Sequence, residues 1–208
     1  LMAEAAGTAG SHPLQQFATI GESGEDPVPR AAPLAAAVSE AGEARDLMLG
    51  ACASKLSCVD CHDPHAPDST DKLRAADAAK QDALCTKCHD KYATADALKA
   101  HSHHDPAKDG ARCLNCHLPK KNMSLDGNLS RYHHVGSPND MTKVLSDRPM
   151  ECALCHADKS VRELATTMTR WWKKPYDDGS LERLYGSMDA NVMLATAERG
   201  KPHEQAVA

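Results

Sequence analysis

A mainly α fold with extensive coil is what this sequence predicts, and three observations lead there. Apolar residues recur at helical spacing in several short stretches, most clearly at Val161, Leu164, Ala165, Met168 and Trp172. The intervals between those stretches are rich in turn formers, with 12 Gly and 12 Pro in 208 residues. Aromatic residues make up only 3% of the chain, with a single Phe, and the apolar fraction is 41%. A core built from side chains alone would lack flat apolar bulk, so something else must supply it.

The string Cys58-Val59-Asp60-Cys61-His62 says what that is. Two cysteines three apart, with a histidine directly after the second, form the attachment signature of a c-type haem. The thiols add to the haem vinyl groups and the adjoining imidazole is delivered to one face of the iron. The pattern returns at Cys85-Thr86-Lys87-Cys88-His89, Cys113-Leu114-Asn115-Cys116-His117 and Cys152-Ala153-Leu154-Cys155-His156. Structural zinc also uses paired CxxC, but gives no reason for a histidine after the second cysteine all four times. A disulfide framework explains neither the spacing nor the histidines. The reading is a multihaem cytochrome c wrapped around four covalent haem c groups, each with its iron.

Three regions follow in chain order. Residues 1–33, with Pro13, Pro27, Pro29 and Pro33, read as an extended N-terminal arm that carries His12 in a Gly-Ser-His-Pro turn. Residues 34–157 form the tetrahaem core and 158–208 a C-terminal helical extension. Within the core, an alanine-rich run from Leu34 to Leu49 is helical, and Cys52 after it is a small apolar residue expected to be buried. Further helices are expected at Asp71 to Leu84, ending on Cys85, and at Thr94 to Ala100, leading into His101-Ser102-His103-His104. Residues 118–150 contain Pro119, Asp126-Gly127, Pro138 and Pro149, and read as a long coil that wraps porphyrin and carries ligands. Ser160-Val161-Arg162-Glu163 is a capping box that opens a helix stopped before Pro175. The Trp171-Trp172 pair on it reads as helix packing. Leu181 to Ala197 reads as one further helix.

The proximal ligands are His62, His89, His117 and His156, which leaves His12, His65, His101, His103, His104, His133, His134 and His203. Four sixth ligands are needed, so bis-histidine ligation throughout is within supply. Met48, Met123, Met141 and Met150 compete as ligands that would raise the potentials. His65 lies three residues after His62, with Pro64 between them. So short a link cannot pass round the porphyrin edge to the opposite face of the same iron, so His65 is expected on another haem.

From about Ala51 to Trp172 the chain resembles the multihaem c-type cytochromes with doubled CxxCH motifs, including members joined to TPR or HEAT repeats. The resemblance rests on Cys-Val-Asp-Cys-His-Asp-Pro-His at 58–65, Leu-Cys-Thr-Lys-Cys-His at 84–89, and His101-Ser-His-His104 ahead of Cys-Leu-Asn-Cys-His-Leu-Pro-Lys at 113–120. It closes with Cys-Ala-Leu-Cys-His-Ala-Asp-Lys-Ser at 152–160 and the paired Trp. By position it implies distal ligands at His101 and His104, with His104 favoured, and at His133 within Tyr132-His133-His134-Val135, with His134 the alternative. Leu118, Tyr132 and Val135 depart from the family pattern, and no haem motif lies upstream of the His65 pair. Counting one distal ligand for each histidine group leaves one iron short, and His12 is the expected fourth. Gly200 to Val207 resembles the start of a HEAT-type repeat, as though the chain were truncated relative to such proteins.

A formal net charge of −5, made more acidic by haem propionates, argues against nucleic acid or an anionic membrane surface as partner. No segment approaches the length of a membrane span. Covalent haem attachment takes place outside the cytoplasm in bacteria and archaea, so a periplasmic or extracellular, exported protein is expected. The N-terminus Leu1-Met2-Ala3-Glu4 lacks a signal peptide, as in a mature product or a fragment. The expected function is electron transfer, not enzyme catalysis, with other redox proteins or multihaem cytochromes as partners in a homo- or hetero-oligomer. The alternatives are a multihaem reductase or oxidase of a small nitrogen or sulfur compound, which needs one open haem site, and a subunit of a respiratory complex or cytochrome filament.

Overall fold

The computed structural model describes residues 42–62, 78–123 and 127–208. His12, His65, the arm and the first part of each of the first two expected helices lie outside the described residues. Within them the chain is mainly helical, as expected. The helices are α1 (Glu43–Leu49), α2 (Ala78–Thr86), α3 (Ala95–Ser102), α4 (Cys113–His117), α5 (Met141–Ser146), α6 (Val161–Trp172), α7 (Asp178–Tyr185), α8 (Val192–Arg199) and α9 (Pro202–Gln205), joined by short 3-10 turns. No described helix is long and apolar enough to cross a membrane.

The apolar core belongs to the later part of the chain. It gathers Val144, Met150, Ala153, Val161, Leu164, Ala165, Met168, Leu181, Tyr185, Met188, Val192 and Ala195, and so crosses residue 157. The α6 stripe at Val161, Leu164, Ala165 and Met168 is buried as its spacing predicts. The capping box forms: Ser160 Oγ accepts from the Glu163 N–H while the Glu163 carboxylate accepts from the Ser160 N–H. Tyr185 is buried with its hydroxyl accepting the Met150 N–H at 3.1 Å, which satisfies a donor that would otherwise be stranded.

Two expectations need correction. Leu181 to Ala197 is not one helix but two, α7 and α8. Gly186 ends α7 at φ 90°, a left-handed position that suits glycine, and Asn191 starts α8 by accepting the Leu194 N–H at 3.0 Å. The coil of 118–150 holds an antiparallel hairpin and a helix. Strand β1 (Lys120–Met123) pairs with β2 (Leu129–Arg131), with a register irregularity between Lys120 and Asn122. Lys121 sits at that irregularity, buried, with Nζ 2.8 Å from the Asp147 carboxylate. Asp140 then caps α5 by accepting the Lys143 N–H.

Candidate haem site

Each attachment motif folds into the same turn. The His62, His89 and His156 N–H groups donate to the carbonyls of Cys58, Cys85 and Cys152, each at 2.9 Å, and the third motif is itself the helix α4. A helical turn brings residues i, i+3 and i+4 to one side, so each cysteine pair and its histidine share a face. Two anchors fix α4. Asp82 of α2 accepts from Cys113 N–H at 2.9 Å and from the Arg112 guanidinium at 2.7 Å. At the other end Arg131 of β2 donates to the Leu114 carbonyl, which also accepts the Leu118 N–H, and to the Leu118 carbonyl just past the helix.

Neighbouring motifs bring their cysteines within electrostatic reach of one another in chain order. The charge of Cys85 reaches Cys61. The Cys85 and Cys113 thiols hydrogen-bond one another, which draws Cys85 down to about 7 and pushes Cys113 up. Cys116 lies beside Cys152 and Cys155, and burial pushes Cys152 up to about 12. Cys52 is half-buried rather than buried; burial, then Cys85 and Cys88 nearby, raise its thiol.

Three motif histidines face a histidine from elsewhere in the chain. His62 and His133 have ring centroids 6.3 Å apart, His117 and His101 5.9 Å, and His156 and His104 6.1 Å. Stacked rings would lie much closer. Two metal–imidazole bonds of about 2 Å each, plus about 1 Å from each nitrogen to its ring centre, set centroids roughly 6 Å apart, so each pair suits a shared metal ion. The tautomers agree. Nδ1 of His104, His117 and His133 lies 2.6, 2.7 and 3.0 Å from the Ser102, Gly136 and Arg131 carbonyls. A carbonyl only accepts, so each Nδ1 carries the proton and each Nε2 keeps its lone pair. Burial holds the His101 and His117 imidazoles below their ordinary value, which keeps them neutral and able to bind metal. His62 Nδ1 is buried with no partner among the described residues.

The four-residue cluster at 101–104 therefore faces two motif histidines rather than one. His133 opposes His62, whereas His134 turns its Nδ1 to the Tyr132 hydroxyl at 3.4 Å. His89 is exposed and faces no second imidazole among the described residues. His203 is exposed, far along the chain in α9. His103 stacks on Trp171, a partner that sequence reasoning missed because nothing local links them.

A family model for the doubled CXXCH motif matches residues 50–94. This stretch is that of a multihaem c-type cytochrome. The match takes in the first two attachment motifs, and the remaining two repeat the same turn further along. No curated protein and no solved structure matches the chain.

Proposed function

We propose that the chain is an extracytoplasmic tetrahaem cytochrome that carries electrons between redox partners. The observation that carries this reading is the set of three imidazole pairs at 5.9–6.3 Å, each joining a motif histidine to a distant one. The eight motif cysteines would hold the haems by thioether bonds, and His62 with His133, His117 with His101, and His156 with His104 would close both axial positions. Haem c supplies one-electron chemistry at iron. The chain's own residues do the rest. The backbone carbonyls of Ser102, Gly136 and Arg131 orient the imidazoles and fix their tautomers. The nearness of the cysteines of each motif to those of the next favours a single-file order along the sequence.

With His101 and His104 each opposite a different motif histidine, His65 is the natural partner for His89, as its short link to His62 requires a different haem. The count then closes without His12. Intact mass under denaturing conditions should show four haems per chain, and the EPR spectrum of the oxidised protein should be all low-spin. His133→Ala, His101→Ala and His104→Ala should each make one haem high-spin. A different haem number would refute the tetrahaem reading, and a strong high-spin signal in the unaltered protein would replace the carrier with the reductase.

A further inference from the structure

The paired tryptophans stand at the end of α6, on the side of the core that faces the 101–104 turn. Had α3 continued, His101 and His104 would lie three apart on one helix face and compete for the same place. Instead α3 stops at Ser102, and His103 caps it in the left-handed conformation at φ 59°, as Lys173 caps α6 at φ 58°. The two flanking imidazoles then part, one towards His117 and the other towards His156.

Helix α6 packs against this turn. Trp171 stacks on the His103 ring at 4.6 Å and 17°, and Trp172 meets the same ring edge-on at 5.6 Å. Trp172 Nε1 donates to the His101 carbonyl at 3.1 Å, and Trp171 stands edge-on to His104 at 5.9 Å. Helix packing, the sequence-level reading of the pair, accounts for Trp172 against the apolar cluster. It does not account for an indole N–H spent on the backbone of a ligand-bearing turn, or for an indole stacked on the left-handed residue. His104 has a support of its own. Its ring lies against Gly110, where a Cβ would collide with the imidazole Cδ2.

We infer that Trp171 and Trp172 are positioning residues: they clamp His103 and so assign His101 to the haem of the third motif and His104 to that of the fourth. This rests on the axial reading given under Proposed function. The test uses the full-length haem-loaded protein, with EPR and optical spectra, reductive titration and haem count by mass. Trp172→Phe keeps the ring and removes the N–H, and should give one high-spin haem per chain with all four haems still attached. Trp172→Phe combined with His101→Ala should still give one, because both act on the same iron, and combined with His104→Ala should give two. Gly110→Ala should affect the fourth-motif haem alone, so that its combination with His104→Ala adds nothing. Added imidazole should restore the low-spin spectrum in each single variant. The clamp is overturned if Trp172→Phe and Trp171→Leu match the unaltered protein while His101→Ala and His104→Ala each yield a high-spin haem. If those two histidine variants stay all low-spin, the axial reading itself fails, and the clamp with it.

Discussion

The chain before Val144 and the chain after it are built on different principles. From Val144 onwards, twelve apolar side chains from five elements and their turns close into one cluster. Before it, among the described residues, Ala111 and Pro119 are the buried apolar side chains, while Asp46, Asp82, Lys121 and Asn139 are buried and polar. The later part is held by side chains packing on side chains, each fully buried Leu or Met contributing about 1.5–3 kcal/mol. The earlier part is held by directed bonds, such as Asp82 to α4 and Arg131 to the α4 carbonyls, that place cysteines and histidines. Directed bonds between polar groups add only about 1 kcal/mol each. The scarcity of aromatic residues noted from composition is thus concentrated where the attachment motifs are dense, and the cofactor is the natural core there.

The sharpest break of that comparison is a chain with all eight motif cysteines changed to serine. Hydrogen exchange should find residues 144–208 still protected and the described residues from 42 to 123 close to unprotected. Equal protection in both would mean that the earlier part folds without haem. A gentler form compares single sites. Leu181→Ala removes a fully buried side chain from the cluster and should cost about 2–5 kcal/mol in the unfolding of the C-terminal helices, read by far-UV circular dichroism. Asp82→Ala removes the acceptor of Cys113 N–H and Arg112, and should cost about 1–3 kcal/mol, felt at the second and third motifs. Should Asp82→Ala destabilise the C-terminal helices as much as Leu181→Ala does, the two parts are one cooperative unit and the contrast is wrong.

The same contrast explains what could be read from sequence. α6 was legible to the residue, since Ser160 and Glu163 announce its start and the apolar stripe its buried face. The start of α3 is legible to within a residue: the helix expected from Thr94 opens at Ala95, with Thr94 accepting the Ala97 N–H. Each is local chemistry. The β1–β2 hairpin was not, because Lys120-Lys121-Asn122-Met123 has no alternating pattern and is held by Lys121 reaching Asp147 across 26 residues. The break between α7 and α8 had a signal in Gly186 and Asn191, but the apolar spacing of Leu184, Met188, Val192 and Ala195 runs straight through it. At the site, the four CxxCH strings are plain in the sequence. The pairing is not, since His62 to His133 or His104 to His156 depends on how distant segments meet. That is also why one distal ligand was assigned to the 101–104 cluster: spacing alone cannot reveal a left-handed turn packed against two tryptophans about 70 residues away.

The smallest effect expected lies within the later part, at the capping box that follows the fourth motif. Glu163 is held below the ordinary carboxylate value, first by the Ser160 backbone N–H at 2.8 Å and then by the Ser160 hydroxyl at 2.9 Å. A depressed carboxyl in the folded state contributes stability above its unfolded value and loses it as pH falls through the folded value. The start of α6 should therefore fray on acidification sooner than the buried middle of the helix. Ser160→Ala removes the hydroxyl and keeps the backbone donor, so Glu163 should titrate part of the way back towards an ordinary glutamate. Carbon-detected NMR of the Glu163 carboxyl reads this directly. The haem spectrum should not change, because the motif turn at His156 closes on Cys152 without help from Ser160. A Glu163 titration unmoved by Ser160→Ala would show that the backbone N–H alone holds the carboxylate. A shifted haem spectrum would show instead that the end of the attachment motif and the start of α6 move together.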